Sequence, residues 1–103
     1  LKNIKNPKIT LPVVKKAEGH VWHLFTIRCS ERDRLQTYLA ENGVQTLIHY
    51  PIPPHKQQAY KEWNSMSFPI SEEIHRTILS IPMGSFLSVS DMEKISALIN
   101  KFD

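Results

Sequence analysis

Apolar and polar positions along this chain fall into short blocks whose spacing switches between alternating and helical. Between Val21 and Cys29, Val21, His23, Phe25, Ile27 and Cys29 share one side of an extended chain, and Trp22, Leu24, Thr26 and Arg28 the other, which is the alternation of a β-strand. Both sides are apolar at the Val21 end, so cover is expected on both. Ser30 then reads as a helix N-cap, with Asp33 in the first turn and Leu35, Tyr38 and Leu39 on the buried face. Gly43, following Asn42, supplies a left-handed stop. Val44 to Tyr50 reads as a second strand and completes a strand–helix–strand unit. Upstream, Ile9 to Leu11 lies between Pro7 and Pro12 and suits a short edge strand, where missing amide donors are tolerated.

Further along, His55 to Trp63 suits a loose helical turn or two. Phe68-Pro69 leads into a helix capped by Ser71, with Ile74, Ile78 and Leu79 as its stripe. Ser80-Ile81-Pro82-Met83 breaks that helix and is expected to form a third short strand before Gly84. In the last segment Ser90 and Glu93 read as a capping box, and Met92, Ile95, Leu98, Ile99 and Phe102 follow helical spacing. Such stripes are core. The expected fold is α+β, a small mixed or antiparallel sheet with helices mainly on one face. Residues 1–103 form one domain, with residues 1–19 as a lead-in and 20–103 as its core.

Composition narrows the function classes. A chain of 103 residues, 41% hydrophobic and 22% charged, has the make-up of one small domain. The net charge is +3, but the basic residues are scattered, so no nucleic-acid partner is expected. No apolar run reaches the ~20 residues of a membrane-spanning helix, so no membrane partner is expected either. Cys29 is the single cysteine, which removes an internal disulfide and fits a reducing, cytoplasmic setting. Its place within a strand pattern makes it a small buried hydrophobe rather than a nucleophile. The five histidines are dispersed, and His20 and His23 point opposite ways in a strand, so no metal site is expected. Glycines at positions 19, 43 and 84 alone make no phosphate-binding loop. The chain begins at Leu1 without an initiator Met, as a processed protein or an excised piece would.

The most distinctive stretch is Leu47-Ile48-His49-Tyr50-Pro51-Ile52-Pro53-Pro54-His55-Lys56. Its three prolines fix φ, remove three donors and push Tyr50, Ile52 and Pro53 toward extended backbone. The segment is therefore expected to run extended from His49 to about His55. At ~3.1 Å per residue the two imidazoles lie roughly 18 Å apart and on a common side. That separation is too long for one chelated metal and suits the wall of a groove, with Tyr50 adding a flat face and a hydroxyl. The plain alternative is a stiff connector with solvated histidines. Pro51-x-x-Pro54 also matches a polyproline ligand formally, but its folded flanks argue against that role.

Four ordered motifs carry a family resemblance. His20-Val21-Trp22-His23-Leu24-Phe25, then Asn42-Gly43-Val44-Gln45-Thr46-Leu47-Ile48-His49-Tyr50-Pro51-Ile52-Pro53-Pro54-His55, then Phe68-Pro69-Ile70-Ser71-Glu72, then Leu79-Ser80-Ile81-Pro82-Met83 resemble the small domain of the DegT/DnrJ/StrS sugar aminotransferases. The resemblance runs from about His20 to Phe102. It implies the small domain of the aspartate-aminotransferase fold, in a homodimeric, pyridoxal-phosphate-dependent parent. Such a parent moves an amino group from glutamate to a keto-6-deoxy sugar carried on a nucleoside diphosphate, at the 3-keto position. His49, Tyr50 and His55 are implied as substrate-binding residues, where an imidazole beside a diphosphate is physically sensible. The family's Schiff-base lysine and its pyridine-facing carboxylate belong to a large domain that nothing here matches. The chain is thus expected to be a C-terminal fragment whose partner is that large domain. On its own it should bind no cofactor, hold no catalytic residue and catalyse no transamination. The rival expectation is a stand-alone binding module with this fold and no chemistry.

Overall fold

Residues 3–103 are described by a computed structural model, in which β1 (Ile9–Thr10), β2 (Phe25–Cys29) and β3 (Ile78–Ile81) form an antiparallel sheet in the order β1-β2-β3. Three α-helices accompany it: α1 (Arg32–Glu41), α2 (Pro69–Thr77) and α3 (Val89–Lys101). Register explains where the core sits. Ile27 opposes Leu79, so both project to one face, with Cys29 two residues along from Ile27. That face meets Leu35 and Leu39 of α1 and Ile95 and Ile99 of α3, joined by Ile4, Val44 and Phe102. The fold is the α+β arrangement expected, with an antiparallel sheet. Cys29 is a buried free thiol, and no helix among the described residues is long and apolar enough to cross a membrane.

The ends of elements differ from expectation more than their centres do. β2 starts at Phe25, not Val21. Phe25 pairs with Ile81 and Pro82 follows, so residues 21–24 have no ladder to join. They turn instead. The Trp22 amide donates to His20 Nδ1 at 2.9 Å, the two rings stack at 4.0 Å, Trp22 takes φ 50°, and Val21 is left 91% exposed. α1 is preceded by Glu31, whose side chain makes no cap bond, and Ser30 lies in the turn before it. Glu31 pairs instead with Lys8 at 2.9 Å and with Arg34.

The stop after α1 is as expected. Gly43 at φ 78° lets its amide donate to Ala40 O at 3.0 Å and the Val44 amide to Leu39 O at 2.8 Å, a Schellman closure that drops Val44 into the core. Residues 44–50 then make no strand. A single bridge joins Leu47 to Ser80, since the chain bends at His49 and the prolines follow. α2 starts one residue after Phe68, with Pro69 in its first turn, and ends at Thr77. Its cap is therefore Phe68 and not Ser71, and Ile78 and Leu79 belong to β3, where Ile78 pairs with Arg28 and Leu79 with Ile27. The loose turns foreseen after His55 are 3-10 turns over Pro54–Lys56 and Gln58–Trp63.

The capping box of α3 is Ser88 with Asp91, two residues earlier than the Ser90–Glu93 pair suggested by spacing. Met92, placed on the buried stripe by spacing, is 48% exposed, while Ile95 and Ile99 are buried as foreseen. Near the start of the chain, Ile4 enters the core and Asn6 ties the backbone to the end of α3. Asn6 Nδ2 donates to Ile99 O at 2.8 Å and Phe102 O at 2.7 Å, and its Oδ1 accepts from the Lys8 amide at 2.9 Å.

Candidate functional site

The proline segment stays extended only as far as Pro53, whose φ and ψ are −64° and 150°. Pro54 then opens a 3-10 turn, and His55 is rotated into the protein instead of continuing the run. The straight 49–55 rod with two imidazoles on one side is corrected accordingly. A proline pair fixes φ but leaves ψ of the second residue free to enter a turn.

Three attachments hold the segment. The first is Ser80 of β3. Its amide donates to Leu47 O at 2.7 Å, its carbonyl accepts from the Leu47 amide at 3.0 Å, and its hydroxyl meets His49 Nδ1 at 2.8 Å. The second is His75 of α2, whose Nδ1 lies 2.6 Å from Tyr50 O. A carbonyl only accepts, so that nitrogen carries the proton. The third is Glu72, three residues earlier on the same helix, whose Oε1 accepts from His55 Nε2 at 2.9 Å and from the Phe68 amide at 3.0 Å. The Phe68 amide first, and the His55 bond after it, hold the Glu72 carboxyl below its ordinary pKa. The His55 ring is 5% exposed and meets Phe68 edge-on at 4.9 Å. Asn64 Nδ2 donates to His55 O at 2.8 Å, and Lys56 Nζ to Asn64 O at 2.8 Å, closing the turn beneath it.

The three residues singled out from sequence thus meet different fates. His49 lines a cavity of about 880 Å³ together with Ser80, Gln36, Leu47, Asp91 and Lys94, within the size range of small-molecule sites. Tyr50 presents its ring to solvent, 63% exposed, and stands edge-on to His49 at 5.4 Å. His55 faces inward. Ser80, Glu72 and His75 were not foreseen as site residues, although Ser80 and Glu72 lie inside motifs already picked out. Asp91 is kept below its ordinary pKa by the Ser88 hydroxyl first and the Ser88 amide next, so a carboxylate and the Lys94 ammonium both border the cavity.

Every described lysine lies exposed on the surface, and Lys56 is committed to the Asn64 and Met66 carbonyls. The cavity's carboxylate is engaged by the α3 cap. No described group of His, Cys, Asp and Glu is gathered as metal ligands would be.

Comparison with known proteins adds three findings. The profile of the DegT/DnrJ/EryC1/StrS aminotransferase family matches residues 1–100. Among curated relatives, the dTDP-3-amino-3,6-dideoxy-alpha-D-galactopyranose transaminase of Aneurinibacillus thermoaerophilus is 52% identical over 102 residues, covering 99% of this chain and 28% of that protein. The dTDP-3-amino-3,4,6-trideoxy-alpha-D-glucose transaminase of Streptomyces venezuelae is 42% identical over 83 residues, covering 79% and 22%. Among solved structures, S. venezuelae DesV in complex with ketimine intermediate superposes with a TM-score of 0.85 at 36% identity, over 92% of this chain and 26% of that one. The chain spans about a quarter of the length of the relatives it matches.

Proposed function

Because the chain belongs to the DegT/DnrJ/EryC1/StrS aminotransferase family, we propose that it is the substrate-closing, C-terminal small domain of a larger pyridoxal-phosphate-dependent aminotransferase. The acceptor is a keto-6-deoxy sugar on a nucleoside diphosphate, aminated at the 3-keto carbon, and the donor is glutamate. Support for the sugar class comes from relatives whose products are dTDP-linked 3-amino sugars. The cofactor and its lysine lie in the other three-quarters of the parent, which works as a cytoplasmic homodimer. The present residues bind and orient the sugar nucleotide and help close water out of the site.

The observation that carries this proposal is the placement of His49 and Tyr50. One lines the cavity and the other projects beside it, both on a segment bonded to β3 and α2. A pinned imidazole and an exposed phenol offer hydrogen bonds to a diphosphate and a flat face to a ring. In the full-length enzyme, His49→Ala should lower kcat/KM for the sugar nucleotide by about ten- to hundred-fold, the equivalent of ~1–3 kcal/mol from one lost polar contact. The cofactor's visible absorbance should stay unchanged. Tyr50→Phe should lose less, because the ring remains. Wild-type kcat/KM in His49→Ala, or cofactor loss in step with activity, would overturn the proposal.

A further inference from the structure

The substrate-side segment is attached to α2 at two points, and neither attachment touches the cavity. His55 and Tyr50 lie five residues apart on the segment, and their partners Glu72 and His75 lie three apart on the helix. Residues three apart on a helix share a face, so α2 offers one side to the segment and grips it at both ends. The chemistry of the two grips is complementary. At the first turn a carboxylate accepts from His55 and from the Phe68 amide together. Near the last turn a protonated imidazole nitrogen donates to the Tyr50 carbonyl. A carboxylate in the first turn is the arrangement the helix dipole favours.

From this geometry we infer that Glu72 and His75, with His55 as the inward-facing tooth of the segment, form a bracket that positions His49 and Tyr50 toward the sugar nucleotide. His55 is therefore a positioning residue and not a substrate contact. Its ring is 5% exposed, packed on Phe68, and its Nε2 is engaged by Glu72, which leaves little of it to meet a ligand. The Tyr50 carbonyl held by His75 belongs to the residue whose side chain projects into solvent, so the bracket fixes that side chain's point of departure. This inference rests on the substrate-wall proposal above.

The test uses the full-length enzyme and measures kcat/KM separately for the sugar-nucleotide acceptor and for the amino donor. Glu72→Ala, His55→Ala and His75→Ala should each lower the acceptor value about ten-fold, as expected for one lost bond that holds the segment, and leave the donor value within about two-fold. Conservative replacements should rescue. In His55→Gln the side-chain amide nitrogen takes the place of Nε2, and in His75→Asn it takes the place of Nδ1. The double variant Glu72→Ala/His55→Ala should be no worse than the poorer single, because the His55–Glu72 bond is lost in both singles.

Several results would overturn the bracket. Additive losses in the double variant would mean that His55 touches the substrate. Equal losses in donor and acceptor values would mean a merely structural role, as would failure of the conservative variants to rescue. If His49→Ala lowers the acceptor value while all three bracket variants leave it intact, the bracket fails and the substrate wall stands. If His49→Ala is also without effect, the wall falls and the bracket with it. Should Glu72→Ala not fold, His75→Ala against His75→Asn carries the test, because that bond lies at the surface.

Discussion

Asn6 provides the sharpest test of how the start of the chain is held. It is a buried amide with all three of its side-chain contacts directed to backbone. Nδ2 donates to Ile99 O and Phe102 O, and Oδ1 accepts from the Lys8 amide. Asn6→Ala removes all three at once. Ile99 O keeps the Phe102 amide at 3.3 Å, while the other two groups lose the partner that Asn6 supplied. At ~1 kcal/mol for each bond lost, the loss is about 3 kcal/mol, a large share of the ~5–15 kcal/mol that holds a small domain together. For a domain of this size it corresponds to a fall in Tm of about 15 °C. Asn6→Asp separates the donor from the shape. It keeps the Lys8 contact but turns an oxygen toward two carbonyl oxygens, so at neutral pH it should be the worse variant. It should recover as the pH falls and the carboxyl regains a proton to donate. Urea unfolding followed by far-UV circular dichroism, at neutral and acid pH, measures all of this. A loss below ~0.5 kcal/mol for Asn6→Ala, or an Asn6→Asp variant more stable than Asn6→Ala at neutral pH, would refute the reasoning.

Three further outcomes follow from bonds described above. The Glu72 carboxyl has a folded pKa below its ordinary value of 4.5, through the Phe68 amide and then His55. Its contribution to stability is therefore complete above that pH and fades as the pH falls through the lowered value. Glu72→Gln should flatten this part of an acid-unfolding curve, and an unchanged curve would count against the Glu72 bonds to His55 and the Phe68 amide. Ser88→Ala should destabilise by about 1 kcal/mol through loss of the α3 cap, while Ser90→Ala should stay within ~0.5 kcal/mol; the reverse order would return the cap to Ser90. Pyridoxal phosphate titrated into this chain and treated with borohydride should leave its mass unchanged, and a stoichiometric adduct on one lysine would overturn the assignment of the cofactor to the rest of the parent.

What the sequence made legible was local and periodic. Ile27 and Cys29 alternate with polar neighbours, Ile95 and Ile99 repeat at helical spacing, and Gly43 follows a helix with the one residue type that closes it easily; each of these was found where expected. Element ends were read less well because the serines at 30, 71, 88 and 90 offer competing caps. Which one is used depends on how the helix packs, and spacing alone does not carry that. Val21 to Leu24 alternates like a strand but has no neighbour to pair with, a fact fixed by Pro82 nearly sixty residues on. The site was legible as a motif and not as a geometry. Pro-Pro stiffness suggested one straight wall, whereas His55 is turned inward by a carboxylate 17 residues away and His49 is fixed by a hydroxyl 31 residues away.

The Ser80–His49 contact gives the cavity an adaptable lining. A serine hydroxyl donates or accepts with equal ease. When it donates to Nδ1, the outer nitrogen of the imidazole carries the hydrogen and offers it outward. When it accepts from Nδ1, that outer nitrogen presents a lone pair instead. Rotation of one hydroxyl hydrogen and transfer of one ring proton therefore exchange the two faces while every heavy atom stays in place. A wall group of this kind can meet an acceptor as a donor and a donor as an acceptor, with the same side chain in the same place.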